Sequence, residues 1–154
     1  MEERSQFIER AGVMLELVGI PRVAGRVLGA LLTAPPEGHT AAELAGLLRS
    51  SRAGISTGLS YLTGIGLIER APRPGERADR LRMRKNAWAT LMEQGNRQLV
   101  TLHDLALEGQ EALPQGGDPG PLREMEGFYA LWLRLFPDIL ERWHAAQREA
   151  GGDA

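Results

Sequence analysis

The sequence predicts a mainly α-helical fold that contains one small β-hairpin. Apolar residues recur at three- and four-residue steps along most of the 154 residues, which is the period of an amphipathic helix. Near the middle of the chain, Leu81 and Met83 alternate with arginines, which is the period of a strand with one face in solvent. The strand-like segment Leu67–Arg70 precedes them, and the rigid turn Pro72–Glu76 separates the two. We therefore expect helices on both sides of a single two-stranded hairpin.

Two helices are predicted at the N-terminal end. The first ends at Gly19, and Pro21 suits the first turn of the second, because proline is favoured at that position of a helix. The second helix ends in the proline-containing segment Ala34–Gly38. The apolar stripe of the first helix is Phe7, Ala11, Met14, Leu15 and Val18, and that of the second is Val23, Val27, Leu28, Leu31 and Leu32.

Two short helices follow, and each begins with a capping residue. Thr40 is predicted as an N-cap, and Glu43 three positions later completes a capping box. Ser51 is predicted to cap the next helix in the same way. The inward-facing residues are Leu44, Leu47 and Leu48 in the first short helix and Ile55, Leu59 and Leu62 in the second.

A long helix and a final helix are predicted after the hairpin. The segment Pro114–Pro121 is a linker between them. The long helix carries on one side Trp88, Leu91, Met92, Leu99, Leu102, Leu105 and Ala106. The final helix begins near Leu122 and carries at heptad spacing Leu122, Met125, Tyr129, Trp132, Phe136, Ile139 and Trp143. This seam of large side chains needs a partner, because a single helix cannot bury it.

The composition excludes several classes of protein. The chain has no cysteine, so a disulfide framework, a thiolate zinc site and a cysteine nucleophile are ruled out. Its start, Met1–Arg4, lacks the basic and apolar regions of a signal peptide, and no apolar run approaches the roughly 18 residues of a membrane span. We therefore expect a cytoplasmic protein with no membrane partner.

Catalytic and metal-binding patterns are not found. The sequence has no nucleophile elbow, no phosphate-binding loop and no pair of acidic residues at an informative spacing, so we expect neither an enzyme nor a cofactor. Glu141 and His144 have the i, i+3 spacing of helical metal ligands. No second such pair accompanies them, and no metal site is predicted.

Charge is distributed unevenly along the chain. The totals of 18 Lys and Arg and 20 Asp and Glu give a net charge of −2. The basic segment Arg49–Lys85 has nine basic and three acidic residues, so it carries +6 while the remainder carries −8. Such a segment favours a polyanionic partner. Of the eight aromatic residues, Tyr61 and Trp88 alone lie in or next to it, so duplex DNA is favoured over a single strand that would stack on aromatic rings.

The order of elements between Pro21 and Arg84 is that of a winged helix-turn-helix. In this fold a small three-helix core projects one helix, and the major groove of DNA is wide enough to admit it. We expect the helix after Ser51 to contact bases and the hairpin arginines to contact phosphates or the minor groove. The predicted DNA-binding residues are Arg49, Ser51, Arg52, Ala53, Ser56, Thr57, Ser60, Arg73, Arg77, Arg80 and Arg82.

Two questions stay open at this level. A charged strand face is often merely solvated, and a winged helix can also serve as a protein-interaction module that never binds DNA. The glycines of the predicted contact helix are a second question, since glycine lowers helix stability by up to about 1 kcal/mol relative to alanine. Close approach to DNA and tight helix packing explain Gly54 and Gly58 equally well.

Several stretches resemble the GbsR-like branch of the MarR-type bacterial transcriptional regulators. Gly19–Val27 is similar to the GxPRxxGRI stretch of that branch, and Ser51–Ser56 to the SKGxVS start of its recognition helix. Gly66–Arg70 and Gly75–Arg77 resemble the first strand and the tip of its wing, and the similarity extends over Gly19–Trp88. The resemblance implies a homodimer that binds a palindromic operator in double-stranded DNA, usually as a repressor. Some relatives resemble sensors of choline-type osmoprotectants.

A dimer is also expected from the geometry of DNA. Paired recognition helices must lie about 34 Å apart to enter successive major grooves, and both terminal helices lie outside the three-helix core. We expect an N-terminal dimerisation helix (1–19), a DNA-binding domain (20–85), a C-terminal helical dimerisation region (86–148) and a tail (149–154). Trp132, Phe136 and Trp143 share one helical face, which either contacts a cationic or apolar effector or belongs to the dimer interface.

Overall fold

The structure, a computed structural model, describes residues 2–151 and confirms the mainly helical fold. Within this range none of the helices combines the length and apolar character required to cross a bilayer. The chain forms two compact units, Met1–Leu91 and Met92–Ala154. The elements in chain order are α1 (Glu2–Glu16), α2 (Arg22–Leu32), β1 (His39–Thr40), α3 (Ala41–Leu48), α4 (Arg52–Gly64), β2 (Ile68–Ala71), β3 (Arg80–Met83), α5 (Ala87–Glu111) and α6 (Gly120–Gly151).

α1 packs along α2 at a distance that depends on glycine. A Cβ atom on Gly25 would lie 3.0 Å from the Cα atom of Gly12, and one on Gly29 would lie 2.9 Å from the Cβ atom of Ala11. Such distances are shorter than ordinary contacts between carbon atoms, which lie near 3.5–4.0 Å. The two helices can therefore approach this closely because glycine has no side chain at the contact.

The face of α1 that packs on α2 matches the predicted stripe only in part: Ala11 and Leu15 lie against Gly29 and Gly25 as expected. Ile8 is 3 % exposed and Gly12 is also buried. Phe7, Met14 and Val18 are exposed instead. The apolar pattern is misleading here because the closest contact is made by a residue without a hydrophobic side chain. α1 thus packs on the three-helix core, and Ile8 belongs to the same hydrophobic cluster. Part of its apolar surface is therefore buried within the chain itself.

The helix-turn-helix core has the predicted capping residues. Thr40 caps α3: its hydroxyl accepts a hydrogen bond from the N–H of Glu43 at 3.1 Å, and the Glu43 carboxylate accepts one from the N–H of Thr40 at 2.9 Å. Ser51 caps α4 by accepting a hydrogen bond from the N–H of Gly54 at 3.1 Å. The capping box and the second cap are both confirmed. The largest fully buried side chains of the core are Leu28, Leu44, Ile55, Leu62, Leu67 and Leu81.

The sheet has three strands, in the order β1-β3-β2, where the sequence predicts two. β2 and β3 form the predicted antiparallel hairpin, with Glu69 opposite Arg82. β1 pairs with the other edge of β3 and places Thr40 opposite Arg80. Two residues are too few to show an alternating pattern, so β1 escapes prediction. The wing, defined as β2, β3 and the tip Pro72–Asp79, is thereby joined to the residue that caps α3.

The C-terminal unit contains most of α5 and all of α6. The residues between the two helices, 112–119, overlap the predicted linker Pro114–Pro121 but begin two residues earlier, and α6 already begins at Gly120. A Cβ atom on Gly109 would lie 2.8 Å from Leu122 Cδ2. The last turns of α5 therefore contact the first turn of α6. α6 continues through Pro137 to Gly151, three residues into the predicted tail, and residues 152–154 lie outside the described range.

We predict that Gly25→Ala destabilises the protein by about 1–3 kcal/mol, because the added methyl group forces the backbones of α1 and α2 apart. Gly46→Ala is the matched control: this glycine lies in α3 with no atom within 4 Å of an added Cβ. It should stabilise the protein by about 0.5–1 kcal/mol through helix propensity. Urea unfolding at one fixed protein concentration measures both changes. Equal effects of the two substitutions would contradict the close-contact explanation.

Candidate nucleic-acid interface

The outward face of α4 consists of small side chains and one arginine. Arg52, Ala53, Ser56, Thr57 and Ser60 are all exposed. The Thr57 hydroxyl donates a hydrogen bond to the carbonyl of Ala53 at 3.0 Å, so it is used within the helix. Serine hydroxyls and a guanidinium are suited to hydrogen bonds with base edges and phosphates. The face thus combines donors with little bulk, as insertion into a groove requires.

Packing accounts for one of the glycines of α4. Gly58 is buried against α2, where an added Cβ would lie 3.3 Å from Val27 Cγ2 and 3.4 Å from the Cα of Ala24. Gly54 has the oxygen of its capping residue, Ser51, within 3.3 Å of the same position. Tight contact between α4 and α2 therefore explains Gly58 without any contact with DNA.

The turn between α3 and α4 contains an arginine in a left-handed conformation. Arg49 has φ 48°, and its N–H donates to the carbonyls of Ala45 and Gly46. The N–H of Ser50 also donates to the Ala45 carbonyl, at 3.1 Å. These hydrogen bonds end α3 and lead the chain directly into the cap of α4. Arg49 itself is exposed, so its charge is available beside the start of that helix.

Arg80 is predicted to contact DNA, but its guanidinium is engaged by the protein itself. Nε donates to Glu76 at 2.9 Å, Nη1 donates to the carbonyl of Gly38 at 3.1 Å, and Nη1 lies 3.4 Å from a Glu43 oxygen. The side chain is 16 % exposed. This geometry favours a structural role, in which Arg80 joins the wing tip to the capping box of α3.

The other predicted arginines of the wing are more exposed. Arg82 lies 2.7 Å from Glu69 across the hairpin, and Arg73 lies 3.4 Å from Glu76 in the tip. Arg77 is exposed and forms no ion pair with any carboxylate of residues 2–151. Because exposed ion pairs contribute at most about 1 kcal/mol, Arg73 and Arg82 can exchange their carboxylate partners for phosphates at low cost. Arg77 needs no such exchange.

A groove of about 420 Å³ separates α4 from the wing. Arg52 and Ser56 line it from α4, and Arg70 and Asp79 line it from the wing. The structure thus brings two predicted contact residues together with Arg70, which the predicted set omits. Arg70 is exposed in β2 although it lies two positions after the buried Ile68. The sequence signal that points to it is its place within the basic segment Arg49–Lys85.

The pKa of Glu43 is lowered below its ordinary value. The largest cause is the hydrogen bond from the N–H of Thr40, which stabilises the ionised form, and the charge of Arg80 and a contact with His39 act in the same direction. Partial burial opposes them. The pKa of Arg80 is raised, chiefly by its hydrogen bond to Glu76. Both shifts favour the charged forms that hold the wing against α3.

The predicted effector residues occupy different environments in α6. Phe136 is buried, whereas Trp132 and Trp143 are 44 % and 41 % exposed. Further large apolar side chains of the same helix are exposed: Phe128, Leu131, Leu135 and Ile139. An apolar surface of this extent is typical of a contact with another protein chain.

The chain is similar to known proteins over most of its length. Residues 86–147 match a family model described as the MmpR5-like MarR family transcriptional regulator. The HTH-type transcriptional regulator MmpR5 of Mycobacterium tuberculosis is 38 % identical over 143 residues, which cover 90 % of this chain and 85 % of the relative. The crystal structure of a transcriptional regulator superposes with a TM-score of 0.75 at 36 % identity, covering 93 % of this chain and 99 % of the other.

We predict that Glu43→Gln destabilises the protein at pH 7 by less than about 1 kcal/mol, since the carboxylate is partly exposed and glutamine keeps an oxygen for the capping box. A carboxyl group whose folded pKa lies below the ordinary value of 4.5 stabilises the fold above that pH. The stabilisation is lost as the pH falls through the folded pKa. Thermal unfolding between pH 7 and pH 3 should show the two proteins converging. A difference that stays constant over this range would contradict the role of the Glu43 charge.

Proposed function

Because this chain belongs to the MarR family of winged-helix transcriptional regulators, in the group related to MmpR5, and is a DNA-binding regulator, we propose that α4 reads bases while the wing contacts the DNA backbone. The observation that carries this proposal is the exposed polar face of α4 beside the exposed arginines of the wing, all within the segment of net charge +6. In this proposal Arg52, Ser56 and Ser60 enter the major groove.

The arginines divide into two groups in this proposal. Arg49, Arg73, Arg77 and Arg82 contact phosphates or enter the minor groove, since each is exposed. Arg80 supports the wing from within through its carboxylate partners. Ser51 likewise has a structural task as the cap of α4, and its backbone N–H lies at a helix start, where phosphates are favoured.

The proposed assembly is a homodimer. The exposed apolar face of α6 supports it, as does the exposed side of α1 around Phe7 and Met14. Two recognition helices about 34 Å apart would then read a palindromic operator in double-stranded DNA.

The alternative function, a protein-interaction module that does not bind DNA, is not favoured. The relative that is 38 % identical to this chain is named as a transcriptional regulator.

The finer regulatory assignments rest on resemblance and pattern. Repression, relief by a small-molecule effector and membership of the GbsR-like branch are predictions from the resemblance of Gly19–Trp88. Trp132, Phe136 and Trp143 stay the predicted effector contacts. The cytoplasmic location is likewise a prediction, in keeping with action on bacterial chromosomal DNA.

We predict that Arg77→Ala weakens binding to all duplex sequences and reduces the slope of log K against log salt concentration by about one unit, because one phosphate contact is lost. The measurement is fluorescence anisotropy with DNA from upstream of its own gene at four or more salt concentrations. Arg148→Ala is the control, because this exposed arginine lies in the last turn of α6, far along the chain from the basic segment. An unchanged slope for Arg77→Ala would remove this residue from the interface.

We predict that Leu135→Asp raises the dissociation constant of the dimer about a hundredfold, because a charge in an apolar interface costs about 3 kcal/mol. Leu135 is 48 % exposed on α6. Sedimentation velocity over a concentration series measures the change. Gln147→Asp introduces the same charge at an exposed polar position of α6 and should leave the dimer intact. If Leu135→Asp dimerises with the same dissociation constant as the wild type, the interface lies elsewhere.

A further inference from the structure

Arg26 connects three parts of the N-terminal unit. From α2, its Nε and Nη2 atoms donate to one oxygen of Glu9 on α1, at 2.9 Å and 2.6 Å. Nη2 also donates to the carbonyl of Leu48, the last residue of α3, at 2.9 Å. Nη1 donates to the hydroxyl of Ser50, in the turn before α4, at 3.2 Å. A single guanidinium therefore joins α1 to the turn from which α4 begins.

A glycine on α1 provides the space for this side chain. A Cβ atom on Gly12 would lie 2.6 Å from the Cγ atom of Arg26, which belongs to the stem of the side chain and not to its flexible end. Any larger residue at Gly12 would displace the stem and with it the guanidinium. The position of Arg26 is thus fixed independently by the packing of α1 and by its hydrogen bonds.

The same geometry argues against Arg26 as a contact with DNA. Its side chain is 22 % exposed, and all three of its nitrogen atoms donate to acceptors within the protein. Four of its five N–H groups are engaged in this way, so a phosphate could reach only the second N–H of Nη1 without displacing Glu9, Leu48 or Ser50. Planar guanidinium groups are well suited to holding several fixed acceptors at once, which a lysine does not do in the same geometry.

We propose that Arg26 is a positioning residue that sets the orientation of α4 from the position of α1. Leu48 and Ser50 flank Arg49, whose left-handed conformation directs the chain into α4. Arg26 donates to the Leu48 carbonyl before Arg49 and to the Ser50 hydroxyl after it. A displacement of α1 therefore acts on the turn through Glu9 and Arg26. This goes beyond the proposed contacts of α4, because it assigns the residue that holds those contacts in place.

The first test is hydrogen exchange of the full-length protein without DNA. In Arg26→Gln and Glu9→Gln, the amides of Arg49 and Ser50 should exchange faster than in the wild type, because the turn opens more easily. Gly12→Ala should have the same effect by displacing the Arg26 stem. Arg22→Gln removes an exposed charge one turn earlier in α2 and serves as the matched control. Unchanged exchange in both Arg26→Gln and Glu9→Gln overturns the proposal, and Glu9→Gln keeps the test valid if Arg26→Gln fails to fold.

The second test is DNA binding, which rests on the proposed reading of bases by α4. Arg26→Gln should weaken specific binding about tenfold, because α4 is no longer held in the orientation that presents its polar face, while the salt slope stays unchanged. A slope reduced by one unit would make Arg26 a phosphate contact and overturn the proposal. If exchange accelerates but Arg52→Ala and Ser56→Ala bind DNA as the wild type does, the proposed role of α4 fails while the coupling within the unit stands.

Discussion

The close approach of α2 to two other helices organises the N-terminal unit. On one side Gly25 and Gly29 bring the backbone of α1 into contact, and on the other Gly58 brings α4 against Ala24 and Val27. The fit of such surfaces leaves little freedom, because protein interiors pack as densely as crystals of small organic molecules. The polar face of α4 is presented to solvent because its opposite face is held so tightly. A shift of α2 would therefore move both its neighbours.

Electrostatic contacts then place the wing on this framework. Two of the three acidic residues in the basic segment, Glu69 and Glu76, pair with wing arginines, and Glu43 on α3 receives Arg80 from the wing. Each such pair contributes little to the free energy of unfolding at an exposed site. Their importance lies in orientation: Arg80, with Gly38, Glu43 and Glu76 as partners, leaves the wing few alternative positions relative to α3.

Features determined by neighbouring residues could be predicted from the sequence, whereas those that depend on distant residues could not. The capping box of Thr40 and Glu43 spans three positions, and the hairpin is visible in the alternation of Leu81 and Met83. The buried face of α1 could be predicted only in part: Ala11 and Leu15 belong to the apolar stripe, whereas Gly12 carries no hydrophobic signal. In the sequence, Arg80 cannot be distinguished from the other arginines of the predicted strand. Its partner Glu43 lies 37 positions away, and only the folded chain brings the two side chains together.

The candidate site likewise combines features that could be predicted from the sequence with features that could not. The exposure of the α4 residues follows from helical periodicity, and the basic segment is visible by counting charges. Which arginines are available is a property of the folded chain: Arg77 and Arg80 are separated by two residues, yet one is exposed and the other is held by three partners. Sequence alone gives both the same charge and the same expected role.

The left-handed backbone of Arg49 has an evolutionary consequence. A residue with a Cβ atom costs roughly 1–2 kcal/mol in this conformation, and glycine is the usual occupant of the position that ends a helix in this way. Selection for stability alone would therefore be expected to replace Arg49 by glycine over time. Arginine at this position therefore costs backbone stability that glycine would not, and its exposed cation lies beside the start of α4.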